Sequence, residues 1–208
     1  MSQPLLYKYR SLENWKFLVD ILVNKRLYAA SFHMLNDPME GRYLYSADEV
    51  TKAFRSSIQR QKKALRICSL TEDPLNTLMW SYYAGGHSGV VLGFDEPIAN
   101  PPFCDVKKVT YDNYLSVGPD HMNRDARDVA LEILSQKQLN WVHEKEVRVF
   151  CENPYVTLEL KEVRLGCRVT SEDEHLLRIL VDKTTTATVS RVRDEDLDIP
   201  PQELTSPT

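Results

Sequence analysis

The order of helix-like and strand-like segments constrains the fold of this chain more than any other feature. Apolar residues recur every three or four positions in some segments, such as residues 12–23, and these predict helices. Short apolar runs such as residues 89–94 predict strands. Because the two types are interspersed without a regular β-α-β-α rhythm, the sequence favours an α+β fold over a doubly wound parallel sheet. We expect a mixed, mainly antiparallel sheet with about five helices packed around it.

Capping and turn residues predict where several elements begin and end. Residues 46–49 and 171–174 both have the capping-box pattern, so each is expected to start a helix. Residues 147–151 and 156–160 are strand-like and separated by a turn, which predicts a hairpin. A stripe of apolar residues within 120–138 predicts one long helix.

Length and composition indicate one globular domain. The chain has 208 residues, 42% of them hydrophobic, which is enough to bury one sizeable core. Residues 1–193 are expected to form a single α+β domain, with a loop at Asn100-Pro101-Pro102. Residues 194–208 are acidic, contain Pro and are poor in apolar side chains, so a loose tail is expected there.

Charge and cysteine content exclude several classes of protein. The net charge of −4 argues against general nucleic-acid binding, and the basic residues between 55 and 66 are interpreted as the solvated face of a helix. The four cysteines are scattered without a C-x-x-C pair, so neither a zinc site nor a disulfide framework is predicted. With no signal-peptide pattern at the start and no apolar run of about 20 residues, we expect a cytoplasmic protein without a membrane segment.

A first polar motif, Tyr7-Lys8-Tyr9-Arg10-Ser11, lies where a strand gives way to a helix. Side chains alternate along a strand, so Tyr7 and Tyr9 share one face. Arg10 would emerge at the strand end, where its guanidinium could hold a phosphate or a carboxylate through two hydrogen bonds. The alternative is a surface arginine beside half-buried tyrosine rings.

Two further motifs combine turn residues with potentially reactive side chains. Asn36, Asp37 and Pro38 are typical of a tight turn, and Glu40 adds a second carboxylate; a metal site there would need more ligands. In the motif that follows the next strand, Trp80 and Tyr83 fall on one helical face. Gly85-Gly86 is expected to end that helix, and His87 is either a hydrogen-bonding loop residue or a catalytic base.

The fourth motif contains the largest concentration of charge. Glu144, Glu146 and Arg148 occur at every second position after Trp141, which would place the three charged side chains on one face of a strand. Two carboxylates at that spacing are roughly 6.6 Å apart along the strand, which suits one small polar substrate. Alternatively, Glu146 and Arg148 form an ordinary ion pair on a sheet.

The four motifs together resemble the bacterial family known as domain of unknown function 2971. The resemblance runs from about Leu5 to about Val192 and rests on the Asn-Asp-Pro, Met-Trp-Ser and Glu-x-Glu-x-Arg elements. Tyr82 departs from the pattern, since His is common there in the family. The layout is also similar to that of ADP-ribosyltransferase-like domains, in which a first-strand Arg or His holds NAD, aromatic residues sandwich the nicotinamide, and a late-strand Glu is catalytic.

This resemblance implies an NAD-dependent ADP-ribosyltransferase-like enzyme of the bacterial toxin or phage-defence effector type, with a small nucleotide ligand and no metal. Glu146 and Glu144 would be catalytic. The residues that would bind NAD are Arg10, Tyr9, Trp80 and Tyr83, and those that would shape the site are Asn36, Asp37, Glu40, His87, Trp141 and Arg148.

Two other functions remain open. The same pocket could serve a non-catalytic nucleotide- or protein-binding module of a bacterial stress or defence system. A metal-dependent nuclease using Asp37, Glu40 and the Glu144/Glu146 pair is disfavoured by the acidic net charge.

Overall fold

The structure, a computed structural model, describes residues 4–95 and 104–197. Within these ranges the chain forms five α-helices: α1 (Trp15–Asn24), α2 (Lys52–Ala64), α3 (Thr77–Tyr83), α4 (Ala126–Ile133) and α5 (Ser171–Thr184). Four 3₁₀ helices accompany them, at Phe32–Met34, Pro119–Asn123, Leu139–Glu144 and Asp194–Leu197.

Fourteen strands occur in the same described ranges. They are β1 (Leu6–Arg10), β2 (Arg26–Tyr28), β3 (Ala30–Ser31), β4 (Leu44–Tyr45), β5 (Arg66–Thr71), β6 (Val90–Phe94), β7 (Asp105–Lys108), β8 (Thr110–Tyr111), β9 (Ser116–Val117), β10 (Gln136–Lys137), β11 (Glu146–Cys151), β12 (Tyr155–Thr157), β13 (Leu160–Leu165) and β14 (Thr188–Arg191).

One large sheet organises the domain. Its strand order is β14-β13-β6-β1-β5-β11-β7, and β3 also pairs with β5. Every pairing in this sheet is antiparallel except that of β13 with β14. The predicted α+β class, with a mixed and mainly antiparallel sheet, is confirmed.

The edge of β5 that faces β1 is divided between two short partners. β1 pairs with it at Thr71, and β3 pairs with it at Ile67 and Arg66. No strand of the described structure pairs with residues 68–70 on that side. The sheet is therefore split beside the middle of β5, and a split of this kind leaves room for a ligand next to the backbone.

Three apolar clusters hold the helices on the sheet. In the first, Leu22 of α1 and Leu177 of α5 pack with sheet residues such as Leu92. In the second, Ile58 of α2 and Ile133 of α4 pack beside Phe150. The third fixes α3, and its members include Tyr9, Met79, Trp80 and Val91. These clusters leave β1, β5 and β11 at the centre, where the first and fourth motifs face each other.

Several predicted elements differ from the structure because long-range pairing overrides local pattern. The predicted hairpin of residues 147–151 and 156–160 is wrong: β12 pairs with β2, whereas β11 lies between β5 and β7. The predicted long helix over residues 120–138 is also wrong. A 3₁₀ helix precedes α4, and Asp125 caps α4 by accepting a hydrogen bond from Arg127 N.

Both predicted capping boxes are displaced. α2 begins after Thr51, whose hydroxyl accepts a hydrogen bond from Phe54 N, rather than near residue 46. Residues 46–50 form a turn that buries Val50 completely. α5 begins after Thr170, so Ser171 is its first residue and not its cap.

The expected loose tail is only partly within the described residues. Its first part, Asp194–Leu197, is a 3₁₀ helix in which Leu197 is buried and accepts a hydrogen bond from Thr77 Oγ1. Residues 198–208 and the expected loop at Asn100-Pro101-Pro102 lie outside the described residues. Among the helices that are described, none is both long and apolar enough to cross a bilayer.

Candidate functional site

A cavity of about 580 Å³ opens beside the split in the sheet. This volume is typical of small-molecule sites in proteins. Strands β1, β5 and β11, helix α3 and the turn after β3 all contribute to its walls. Eight of the twelve residues predicted to form a site line it: Tyr9, Arg10, Asn36, Glu40, Tyr83, Glu144, Glu146 and Arg148.

Arg148 is the centre of a buried charge cluster at one end of the cavity. Its side chain is fully buried in the middle of β11. The guanidinium donates to both oxygens of Glu40, at 2.8 and 2.5 Å, and to both oxygens of Glu146, at 2.9 and 3.0 Å. A fifth hydrogen bond goes to the carbonyl of Leu134. With every donor direction used, Arg148 positions the two carboxylates and has no capacity left for a ligand.

Lys137 joins the second catalytic candidate to this cluster. Its ammonium donates to Glu144 Oε2 at 2.5 Å and to Glu146 Oε2 at 3.3 Å. The other oxygen of Glu144 accepts a hydrogen bond of 2.7 Å from the Tyr83 hydroxyl. Three carboxylates and two cations thus share one buried volume, and the charges of Glu144 and Glu146 also act on the Lys8 ammonium. The carboxylates at this end of the cavity favour a ligand group that carries or develops positive charge.

The pKa values of the cluster reflect competition between burial and pairing. Burial alone would raise the pKa of Glu146, but the charges of Arg148 and Lys137 lower it to about 2. For Glu40 burial is the larger effect, so its pKa is raised despite the contact with Arg148. Burial and the hydrogen bond to Glu144 raise the pKa of Tyr83, which keeps this hydroxyl protonated as a donor.

A left-handed residue brings the two glutamates together. Glu144 ends a 3₁₀ helix and Glu146 begins β11, so the predicted continuous strand through both is wrong. Between them Lys145 adopts φ 43° and ψ 48°, and its ammonium points out to Asp73. This sharp change of direction turns both glutamates inward, where one ammonium contacts both.

The opposite wall of the cavity is basic. Lys8 and Arg10 follow each other at alternate positions of β1 and therefore share one face of the strand. The Lys8 ammonium donates to the carbonyl of Ser69 at 2.6 Å, within the split, and burial lowers the pKa of Lys8 to about 8. Among the described residues Arg10 has no salt bridge and its buried Nε has no hydrogen-bond partner. A desolvated guanidinium without a carboxylate suits an anionic ligand group.

The turn after β3 places Glu40 and Asn36. Asp37 Oδ1 accepts a hydrogen bond from Met39 N at 2.8 Å, which closes an Asx turn, as the sequence predicts. At the end of the turn the carbonyl of Gly41 accepts a hydrogen bond from Lys62, whose ammonium lies over the rings of Phe32 and Tyr43. Lys62 is buried, contrary to the expected solvated face of α2.

Four predicted site residues do not line the cavity. Trp80 is completely buried, with its ring edge-on to Tyr9 and stacked on His87 at 6.0 Å, because α3 packs that face against β1. His87 is accordingly a packing residue of the loop after α3. Asp37 lies in a neighbouring small pocket. Trp141 contacts Lys137 but does not line the cavity, and the Lys137 ammonium is 4.6 Å from the Trp141 ring centroid.

Several site residues were missed by the sequence analysis. Lys137 lies on β10, where the parallel pairing with β8 places it, and no local pattern marks it. Tyr111 of β8 accepts a hydrogen bond from Glu146 N at 2.7 Å. Lys8 belongs to the first motif, Tyr7-Lys8-Tyr9-Arg10-Ser11. Because Lys8 and Arg10 occupy alternate strand positions, the sequence could have predicted that both face the site. Tyr82, which is mostly exposed, also lines the cavity.

The metal-dependent nuclease alternative requires Asp37, Glu40 and the Glu144/Glu146 pair to hold an ion. Within residues 4–95 and 104–197 no group of three or more His, Cys, Asp or Glu side chains could hold an ion. Glu40, one of the residues of the nuclease alternative, is instead held by Arg148 through both oxygens.

No family model and no curated protein matches the chain, so the resemblance to domain of unknown function 2971 stays a prediction. Two solved structures of Thermus sp. 2.9 DarT are similar. The complex with ADP-ribosylated ssDNA has a TM-score of 0.43 and 12% identity over 94% of this chain and 98% of that chain. The complex with NAD+ has a TM-score of 0.44 and 13% identity over 93% and 98%.

Similarity at this level does not define the class of this protein. We therefore base the functional proposal on the residues that line the cavity and on the motifs that carry the family resemblance.

Proposed function

We propose that the protein is an NAD-consuming ADP-ribosyltransferase-like enzyme. The observation that supports this is the meeting of Arg10, Tyr83, Glu144 and Glu146 in one cavity. These are positions that the resemblance assigns to NAD binding and catalysis, and they come from three distant parts of the chain. Had they lain on separate faces, the proposal would have had no site.

The charge distribution of the cavity suits the chemistry. When the bond between nicotinamide and ribose breaks, its electron pair goes to the nicotinamide nitrogen, and positive charge develops on the ribose. Buried carboxylates that are already held in position stabilise that charge without reorganising. At the basic wall, Arg10 and Lys8 would hold the phosphates of the dinucleotide.

The two glutamates would have different roles. A carboxylate with a pKa of about 2 stays ionised but accepts a proton poorly, so we assign Glu146 to stabilising the ribose cation. We assign Glu144, oriented by Tyr83, to accepting the proton of the attacking nucleophile. Arg148 and Glu40 would be positioning residues, and Tyr83 would also contribute an aromatic wall.

No metal is needed for these steps. The resemblance further suggests a toxin or phage-defence effector, and the acceptor is not specified by the cavity.

NAD turnover by matched variants tests the proposal. Purified protein is incubated with NAD and released nicotinamide is measured by chromatography. Glu146→Gln is expected to lower turnover about 10²-fold or more, the usual cost of losing one transition-state contact. Glu162→Gln is the control, because Glu162 also lies two residues before an arginine on a strand but outside the cavity. Equal turnover by wild type and Glu146→Gln would remove Glu146 from the mechanism.

A non-catalytic nucleotide-binding module is the second candidate. One observation favours it: both oxygens of Glu144 and both of Glu146 already accept hydrogen bonds from protein groups. This candidate predicts that NAD raises the thermal midpoint of the wild type while no nicotinamide is released. Release of nicotinamide by the wild type, and its loss in Glu146→Gln, would exclude it.

A further inference from the structure

Two cysteines face each other across the outer strands of the sheet. β7 and β11 pair in one constant antiparallel register, in which Phe150 is opposite Asp105 and Val149 is opposite Val106. Continued by one residue, this register places Cys104 opposite Cys151. The two side chains are close enough for each thiol to influence the pKa of the other. The sequence spacing of 47 positions between them gave no sign of this contact.

The pair occupies the closer of the two kinds of antiparallel position. Opposed residues alternate between hydrogen-bonded and non-hydrogen-bonded pairs. Val109 N donates to Glu146 O at 2.9 Å, which makes Val109 and Glu146 a hydrogen-bonded pair. Counting along the ladder makes Cys104 and Cys151 a non-hydrogen-bonded pair, for which Cα atoms are about 4.5 Å apart. Disulfides span Cα separations of about 4.4–6.8 Å, so no large backbone movement is required.

Other cysteines are poorly placed to compete. Cys68 on β5 is opposite Val149, which makes it a diagonal neighbour of Cys151 rather than a facing one. Diagonal residues on paired strands are about 7–8 Å apart, beyond the reach of a disulfide. Cys68 is also completely buried, whereas Cys104 is partly exposed and open to a soluble reagent.

We propose that Cys104 and Cys151 are an oxidation site and form an intrachain disulfide with a low-molecular-weight disulfide as oxidant. The Cys104 thiol loses its proton and its sulfur attacks one sulfur of the oxidant, which releases one thiolate. The Cys151 thiol loses its proton and attacks the Cys104 sulfur of the mixed disulfide, which releases the second. The cysteines are thereby oxidised, and the oxidant is reduced to two thiols.

The order of these steps follows from access and acidity. Cys104 meets the solvent, while Cys151 is buried and donates its thiol hydrogen to the carbonyl of Asn153. Burial raises the pKa of both thiols, that of Cys151 to about 12, so the thiolate fraction at neutral pH is small. The reaction is therefore expected to be slow at neutral pH and to accelerate as the pH rises. This inference does not depend on the proposed enzyme activity.

Thiol counting and peptide mapping test the proposal on the full chain. Native protein is incubated with oxidised glutathione at pH 8.5, desalted and titrated with a thiol reagent. Free thiols are expected to fall from four to two per chain, and non-reducing digestion is expected to give a Cys104–Cys151 peptide. Cys104→Ser and Cys151→Ser should each abolish this intrachain product. Cys167→Ser, which changes another partly buried cysteine, should retain it.

Three results would overturn the proposal. The first is a stable glutathione adduct on Cys104 that does not resolve to the disulfide. The second is an intrachain disulfide that includes Cys68 or Cys167 in place of one partner. The third is four free thiols after oxidation although Cys104 is alkylated under the same conditions. Because the mapping uses the wild type, the result does not depend on the folding of any variant.

Discussion

Replacing Arg148 by methionine should remove the main support of the buried cluster. Methionine fills similar space but cannot donate to Glu40 or Glu146, so Glu40 loses its ion pair and Glu146 keeps only the longer contact with Lys137. The pKa of Glu146 is about 2 in the folded protein and about 4.3 in an unfolded chain. At about 1.4 kcal/mol per pKa unit, this difference corresponds to about 3 kcal/mol of folding free energy at neutral pH. We expect Arg148→Met to lower the free energy of unfolding by about 3–5 kcal/mol at pH 7.

The loss should depend on pH with a definite sign. A carboxylate whose folded pKa is lowered contributes stability above its unfolded pKa and loses it as the pH falls through the folded value. In the variant, burial without Arg148 would raise the pKa of Glu146, so this carboxyl group can become neutral at mildly acidic pH. The difference between wild type and variant should therefore be largest at pH 7 and smaller at pH 4.5.

A second Glu-Val-Arg tripeptide in the chain provides a matched control. Glu162, Val163 and Arg164 lie on β13, where Arg164 Nε donates to Glu162 at 2.8 Å, but this pair is partly exposed. Arg164→Met should cost only about 1 kcal/mol. Urea unfolding of both variants and the wild type at pH 7 and pH 4.5 measures these differences. A loss below about 1 kcal/mol for Arg148→Met, or an equal loss at both pH values, would refute the reasoning.

Two further predictions concern single side chains. Burial lowers the pKa of Lys62 to about 8, so between pH 8 and about 10.4 the unfolded chain binds more protons and stability rises with pH. Urea unfolding should show that Lys62→Met reduces the rise between pH 7.5 and 9.5 by about 1–2 kcal/mol, whereas Lys63→Met on the exposed face of α2 leaves it unchanged. Lys8 should supply the remaining rise, since its pKa is lowered in the same way. At the start of α5, thermal unfolding should show a loss of about 1 kcal/mol for Thr170→Ala and less than about 0.5 kcal/mol for Ser171→Ala. An equal cost for the two would contradict the observed cap.

Sequence patterns predicted the fold class, and the family resemblance, more than residue spacing, predicted that the motifs meet. Neither predicted the details that depend on distant contacts. The period of apolar residues identified α3, yet it could not tell whether Trp80 faces a cavity or the core. In the structure Trp80 faces the core, because α3 packs on Tyr9. Similarly, the capping-box pattern predicted that α2 starts near Ser46, whereas residues 46–50 form a turn that buries Val50 and α2 begins after Thr51.

The charge cluster shows the same limit. Glu146 and Arg148 form an ion pair, as the structural alternative for the fourth motif proposed, and the same glutamate also lines the cavity. The interpretation as an ion pair and the interpretation as a functional site are therefore compatible. Glu146 and Arg148 have further partners, Glu40 and Lys137, which are 108 and 11 positions from Arg148 in the sequence. Only the folded chain could assign these partners.

Because the edge of β5 is divided, one backbone amide of this protein can report whether the cavity holds a ligand. The carbonyl of Ser69 points into the split, and in an extended strand the amide hydrogen of the same residue points to the same side. A ligand bound in the cavity would cover that amide and slow its exchange with deuterated water, whether or not any bond were broken. Hydrogen exchange at Ser69 would therefore measure binding separately from turnover, and candidate ligands could be ranked before any product is identified.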